Sequence, residues 1–188
     1  RVPPAGTGTA ADTYEQLKDY QRTVNSPILL GNVVDEQTGK YLPYTQPYKV
    51  FSYKGIKVGL IGVTSMKPEQ RGWADVDGMD FIEPVEALPG LIDEVSPKSD
   101  VNVILSHAGN PEDHNIAKLA GVDAVIGADT HKVIRTPETQ VNAEGNIVPI
   151  TQAGGEQEHY LGRLDLTFSF VNGEYVLTSH SGFLYDIT

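Results

Sequence analysis

Two histidines follow short apolar segments that predict buried β-strands. The segment 101–105 is followed two residues later by His107, and the segment 124–126 is followed by Asp129 and His131. Imidazole and carboxylate groups are common ligands of zinc, manganese and iron. In open α/β sheets, side chains at the carboxyl ends of neighbouring strands share one pocket. The pattern therefore predicts a divalent metal site formed by His107, Asp129 and His131.

A structural role is the alternative for these histidines. A single histidine is more often a surface or hydrogen-bonded residue than a metal ligand. Two histidines at successive strand ends favour the metal site, although residue types and spacing leave both interpretations open. His159 is a reserve candidate, because it is expected in a loop near the predicted site.

The rest of the chain predicts the elements that position these residues. A helix is expected from Asp12, which can cap it, to Val24. The other predicted elements are a buried strand at 27–34, a hairpin of strands 48–53 and 56–63, helices 84–95 and 112–119, and antiparallel strands 148–152, 160–171 and 175–181. Asn172-Gly173 predicts a second hairpin. The fold class is thus mixed α/β (α+β), with strand–helix units followed by a β meander.

Composition limits the classes of function. The 25 acidic and 14 basic residues give a net charge of -11, which argues against binding to a nucleic acid polymer. The same charge opposes a phosphorylated substrate unless a cation lies in the site. The chain has no cysteine, which excludes disulfides and thiolate metal sites. No apolar run approaches the roughly 20 residues of a membrane helix, so no membrane insertion is expected.

Several motifs together resemble one family. Residues 106–109 (SHAG), Asp113 and residues 119–131 (LAGVDAVIGADTH) are similar to the segment SH.G…D…LA…GID.IIGGHTH of 5′-nucleotidases and 2′,3′-cyclic-nucleotide phosphodiesterases, which are calcineurin-like metallophosphoesterases. Three further segments resemble the family's FPVLSANV, Y.I.E..G.KIGIIGLT and VQAG.YG.YLGRLDLT in the same order, namely 27–34, 48–64 and 151–167. The resemblance covers Asp12 to about Val171.

The resemblance implies a fold and a site. The fold would be the C-terminal half of a four-layer αββα metallophosphoesterase sandwich, made by residues 12–188, with residues 1–11 as a linker or frayed terminus. The complete family domain holds two divalent metal ions, zinc, manganese or similar. His107 and His131 match family ligands, whereas Asp129 stands where the family has histidine. The resemblance therefore implies partial or no metal occupancy in this chain.

The series of the family's first motifs, D.H, GD…D and GNHE, does not occur ahead of the segment 27–34. Gly31-Asn32 is followed by Val33 instead of the histidine of GNHE, so Asn32 is expected to be structural. We therefore expect an incomplete 5′-nucleotidase-like phosphoester hydrolase, inactive alone and without a catalytic residue of its own. A missing N-terminal half or another chain would complete it. Its substrate would be a nucleotide or related phosphoester, and its location periplasmic, cell-surface or secreted.

Two other functions stay open from the sequence. A degenerate, non-catalytic descendant of the family could serve in binding, at a surface or in assembly, and Asp129 and the missing motifs favour it. A carbohydrate or peptide binder has only aromatic residues such as Trp73 in its support, and single aromatic residues usually pack inside.

Overall fold

The computed structural model describes residues 18–65, 76, 78–155 and 159–187. The predicted linker at 1–11, the beginning of the predicted helix 12–24 and Trp73 lie outside these residues. Residues 18–24 form helix α1, in agreement with the described part of that prediction. None of the described helices is long and apolar enough to cross a bilayer.

After α1, the described chain has four strands, then two α-helices that alternate with two strands, and then four strands, of which the last two are long. The strands are β1 (Val33–Asp35), β2 (Tyr48–Tyr53), β3 (Ile56–Thr64), β4 (Met79–Phe81), β5 (Val101–His107), β6 (Ala124–Ile126), β7 (Glu138–Val141), β8 (Ile147–Thr151), β9 (Tyr160–Val171) and β10 (Glu174–Asp186). The further helices are α2 (Pro84–Val95) and α3 (Asn110–Ile116).

A six-stranded mixed sheet forms the centre of the fold, in the order β2-β3-β5-β6-β8-β7. The four inner strands run parallel. The edge strands β2 and β7 pair antiparallel with their neighbours. This topology confirms the predicted mixed α/β class and the hairpin through Lys54-Gly55, and it places the ends of β5 and β6 side by side.

Helices α2 and α3 cover one face of this sheet. Proline at the first position suits the start of α2, because that N–H has no partner within a helix. The buried residues of α2 recur at the three- and four-residue spacing of one helix face: Pro84, Leu88, Leu91, Ile92 and Val95. All of these except Pro84 belong to one buried cluster with Ile61, Ile104 and Val125 of the sheet.

The β9–β10 hairpin covers the opposite face. Leu164, Leu166 and Phe168 of β9 pack against a cluster that contains Val101 and Val103 of β5. The turn is Asn172-Gly173, with φ angles of 53° and 96°, as the Asn-Gly pair predicts. Helices, mixed sheet and hairpin therefore make three layers, which fits the expected portion of an αββα sandwich.

Three predicted elements need correction. The predicted strand 27–34 is a strand only at β1, while Leu29 makes a single parallel bridge to Gln46. Strand β8, expected in an antiparallel meander, pairs parallel to β6 and antiparallel to β7. The sequence ETQV of β7 did not predict a strand, because it lacks a clear apolar face. Helix α3 begins and ends earlier than the predicted 112–119.

Candidate metal site at the ends of β5 and β6

His107 and Asp129 lie together at the carboxyl edge of the sheet. Strands β5 and β6 are parallel neighbours, with Leu105 opposite Ile126. His107 is the last residue of β5, and Asp129 follows β6 by three residues. The distance between His107 Nε2 and Asp129 Oδ1 is 3.9 Å, with the histidine side chain 64% exposed and the aspartate 12% exposed. Two of the three predicted ligands are therefore brought together.

The turn that carries Asp129 has an unusual backbone. Asp129 and His131 have φ angles of 74° and 54°. The backbone N–H of Thr130 donates to the carbonyl of Ala128 at 3.0 Å, which closes a tight turn with Asp129 at its centre. Positive φ is uncommon for residues other than glycine and is found more often at functional sites. The turn therefore holds Asp129 in a backbone conformation that is itself unfavourable.

Gln152, just after β8, anchors this turn. Its side-chain oxygen accepts a hydrogen bond from the Thr130 hydroxyl at 2.8 Å and another from the Lys132 backbone N–H at 2.9 Å. Gln152 is buried, so these bonds lie away from water. The neighbouring strand thus fixes the position of the turn relative to β6.

His131 packs beside the chain that follows β8. A Cβ built on Gly155 would lie only 2.3 Å from His131 Cγ, so the imidazole rests directly against the glycine backbone. Within the described residues, no group of three or more His, Asp or Glu side chains is arranged to hold a metal ion. The metal roles of His107, Asp129 and His131 stay predictions.

Asp113 has a buried carboxyl group next to the predicted site. Residue types and spacing alone did not identify Asp113 as a site residue. It lies on α3 and is 0% exposed. Burial is the main cause that raises its pKa to about 6, while the Ser106 hydroxyl opposes the rise and Asp129 adds to it. Its carboxyl also occupies the space beside Gly127, where a Cβ would lie 2.0 Å from Oδ2. The sequence signal that could have identified Asp113 is its place in the SHAG-x-x-x-Asp motif.

A polar network ties β7 to α3 and to the turn. Glu138 Oε1 accepts a hydrogen bond from Lys132 Nζ at 2.6 Å. Its Oε2 accepts one from Asn110 at 3.1 Å and lies 2.9 Å from His114 Nε2. The hydrogen bond from Lys132 is the largest cause that lowers the pKa of Glu138 to about 2. Glu138 therefore carries a charge that three neighbours stabilise.

We expect Glu138→Gln to lower the free energy of unfolding at pH 7 by about 1 kcal/mol, because the charge-assisted bonds to Lys132 and His114 become neutral ones. The pKa of Glu138 is lower in the folded chain, so this contribution is present above about pH 4.5 and is lost as pH falls towards 2. Urea unfolding at pH 7 and pH 3 measures it. Equal stability of the variant and the unaltered chain at pH 7 would contradict the prediction.

Two other residues considered in the sequence are Asn32 and His159. The side-chain nitrogen of Asn32 donates to the carbonyls of Thr64 and Ile82 at 2.6 and 2.7 Å, and its oxygen accepts from the Thr64 N–H at 2.9 Å. These bonds agree with the structural role expected for Asn32. His159 is exposed, and its carbonyl accepts from the Ile187 N–H at 2.8 Å.

Comparison with known proteins finds several 5′-nucleotidases that are similar to this chain. A snake venom 5′-nucleotidase from Naja atra is 30% identical over 169 residues, covering 81% of this chain and 32% of the relative. The crystal structure of a 5′-nucleotidase precursor from Thermus thermophilus matches with a TM-score of 0.72 and 27% identity, covering 88% of this chain and 34% of that one. The chain belongs to the 5′-nucleotidase family of metallophosphoesterases.

Another solved structure shares the fold, and the curated relatives are longer than this chain. A calcineurin-like phosphoesterase from Bacillus subtilis shares the fold, with a TM-score of 0.64 and 23% identity over 86% of this chain and 56% of that one. No protein-family model matches the chain. This 5′-nucleotidase-family chain spans about a third of the length of the curated relatives that cover most of it.

Proposed function

We propose that this chain is the C-terminal part of the catalytic domain of a metal-dependent phosphoester hydrolase that acts on a nucleotide or related phosphoester. The observation that carries the proposal is the 3.9 Å approach of His107 and Asp129 at the ends of adjacent parallel strands, in a fold shared with 5′-nucleotidases. Side chains at the carboxyl ends of such strands commonly form binding sites.

The two donor atoms lie near the spacing that a divalent cation needs. Zinc ligands lie about 2.1 Å from the ion, so two ligands of one ion are roughly 3.0–3.4 Å apart at ordinary bond angles. The distance of 3.9 Å is longer by about 0.5–0.9 Å, so the exposed His107 side chain would have to move slightly to share one ion with Asp129. An imidazole with a carboxylate suits zinc or manganese. A bound cation would polarise a phosphoryl oxygen and activate water near neutral pH.

We also propose that this portion is incomplete as a catalyst. The series of motifs that supplies the family's other ligands does not occur ahead of the segment 27–34, and the chain spans about a third of the length of its curated relatives. A preceding half of the same protein or another chain would provide them. The exposed apolar side chains Leu161, Phe183 and Tyr185 on the outer face of the hairpin support this view, because a further layer would bury them.

An extracytoplasmic location, at the cell surface, in the periplasm or secreted, completes the proposal. Its support is the relatives themselves, since one is described as a venom protein and another as a precursor. The absence of cysteine from the sequence is compatible with such a location.

Titration of the ¹⁵N-labelled chain with Mn²⁺ tests the site, because the paramagnetic ion broadens nearby amide signals even when binding is weak. We expect broadening of residues 107–109 and 127–131, and its loss in His107→Ala. The matched variant is His159→Ala, which removes the exposed imidazole of the reserve candidate and should leave the broadening unchanged if His107 is the ligand. Hydrolysis of AMP by the chain with Mn²⁺ or Zn²⁺ should not exceed the rate of the metal alone.

Each contrary result has a distinct meaning. Metal-dependent turnover by the chain would overturn its incompleteness and leave the metal site standing. Broadening that is lost in His159→Ala but kept in His107→Ala would assign the metal ion to His159 instead of His107. No broadening at these residues would refute the metal site and favour the non-catalytic alternative.

A further inference from the structure

Asp113 is a fully buried carboxyl located between two strand ends. It is 0% exposed, and neither of its oxygens has a hydrogen bond of normal geometry within the described residues. On one side, Oδ2 fills the space next to Gly127, where no side chain would fit. On the other side, its polar neighbour is the hydroxyl of Ser106. The carboxyl thus lies against the residue before His107 and against the residue two positions before Asp129.

Stability does not account for this carboxyl. A buried charge without hydrogen bonds destabilises the folded state, and an amide of the same shape would remove the charge. Asp123 offers a direct comparison, because it is another aspartate whose pKa burial raises to about 6. Asp123, however, accepts a hydrogen bond from the backbone N–H of Asn102 at 2.7 Å, at the opposite edge of the sheet. Asp113 has no backbone N–H partner of this kind within the described chain, and its polar neighbour is the Ser106 hydroxyl.

The charged neighbours of Asp113 are His114, which lowers its pKa, and Glu112 and Asp129, which raise it. Repulsion by Asp129 is among the causes that raise the pKa of Asp113, so the two carboxyl groups sense each other's charge. A divalent cation held near Asp129 would reverse this interaction from repulsion to attraction. The two carboxylates would then both be stabilised by one ion.

We propose that Asp113 is a positioning residue for a divalent cation at the ends of β5 and β6, where its buried carboxylate holds the Gly127–Asp129 segment against Ser106 and supplies negative charge behind the ion. The inference rests on the proposed function, because it needs a cation at His107 and Asp129. Asp113 does not itself bind the ion. Partners of this kind that act through the ligands commonly change metal affinity tenfold or more.

The test is the same Mn²⁺ titration of the full 188-residue chain with three proteins: the unaltered chain, Asp113→Asn and Asp123→Asn. We expect Asp113→Asn to raise the Mn²⁺ concentration at half-maximal broadening about tenfold. Asp123→Asn, which removes a partly buried charge from the other edge, should leave it unchanged. Thermal unfolding followed by circular dichroism verifies that both variants are folded, and a purely structural role for Asp113 would change only this second measurement.

The outcomes separate this inference from the proposed function. If the unaltered chain and Asp113→Asn show the same midpoint, the positioning role is refuted while the metal site stands. If Asp123→Asn weakens Mn²⁺ binding as much as Asp113→Asn does, the effect comes from the change in the net charge of the chain, and the inference also fails. If the unaltered chain shows no broadening near His107 and Asp129, the proposed site and the inference fall together.

Discussion

Replacing Gly62 with alanine is expected to lower the free energy of unfolding by about 3 kcal/mol or more. Gly62 lies in β3, where the chain segment around Leu29 crosses close to the sheet. An added Cβ would lie 2.3 Å from the carbonyl oxygen of Leu29 and 2.5 Å from its carbon. Both are backbone atoms, which cannot rotate away as a side chain can, so either β3 or the crossing segment must move.

The crossing segment is also hydrogen-bonded at this point. The N–H of Gly31 donates to the Gly62 carbonyl at 2.7 Å, and the Gly62 N–H donates to the carbonyl of Pro47 at 3.2 Å. Moving β3 would therefore lengthen bonds in addition to relieving the clash.

Urea unfolding followed by circular dichroism measures the effect, with Gly90→Ala as the matched control. Gly90 lies in α2, and a Cβ there would meet no atom within 4 Å. Alanine favours helix over glycine, so Gly90→Ala should raise the free energy of unfolding by about 0.5–1 kcal/mol. If Gly62→Ala is as stable as the unaltered chain, the close approach of Leu29 to β3 is refuted.

The chain is expected to be more stable towards urea at pH 5 than at pH 7.5. Burial raises the pKa of Asp113 and of Asp123 from 3.8 to about 6 in the folded chain. Because the folded state binds the proton more tightly, the stabilisation is complete below the unfolded pKa near 3.8 and is lost as pH rises through 6. By linkage, each group contributes about 1 kcal/mol of the difference between pH 5 and pH 7.5.

Glu138 does not offset this trend, because its stabilising charge is lost only below about pH 4.5. The measurement is the free energy of unfolding in urea at several pH values between 5 and 7.5. The double variant Asp113→Asn, Asp123→Asn should flatten most of the dependence and should be more stable than the unaltered chain at pH 7.5. An unchanged slope in that variant would show that other carboxyl groups cause the pH dependence.

Much of the fold follows from short-range pattern. The Lys54-Gly55 and Asn172-Gly173 turns identify two hairpins because the backbone conformations they need are ones that few residues adopt. The spacing of Leu88, Leu91 and Val95 identifies the buried face of α2. These features depend on residues that are close in sequence, so the sequence alone is sufficient to predict them.

The less predictable parts depend on residues distant in the chain. Strand β7 has no apolar alternation, and it forms because β8 pairs with it and because Glu138 bonds to Lys132 and His114. Just before the short strand β1, Asn32 bonds to the backbone of Thr64 and Ile82, which lie far away in the sequence.

The candidate site shows the same division. Strand-end positions identified His107 and Asp129 as neighbours, and the structure places them 3.9 Å apart. The contact of Asp113 with Gly127 could not be predicted, because it depends on how α3 packs over the end of β6.

The β9–β10 hairpin is a sheet of two strands within the described chain, and this has a consequence for exchange with solvent. In an antiparallel pair, successive N–H groups of each strand point alternately towards the partner and away from it. The groups that point away have no strand to bond to within the described residues. Deuterium should therefore enter every second amide along both strands quickly and the intervening ones slowly, and a neighbouring chain that adds a strand to either flank would erase this alternation on that side.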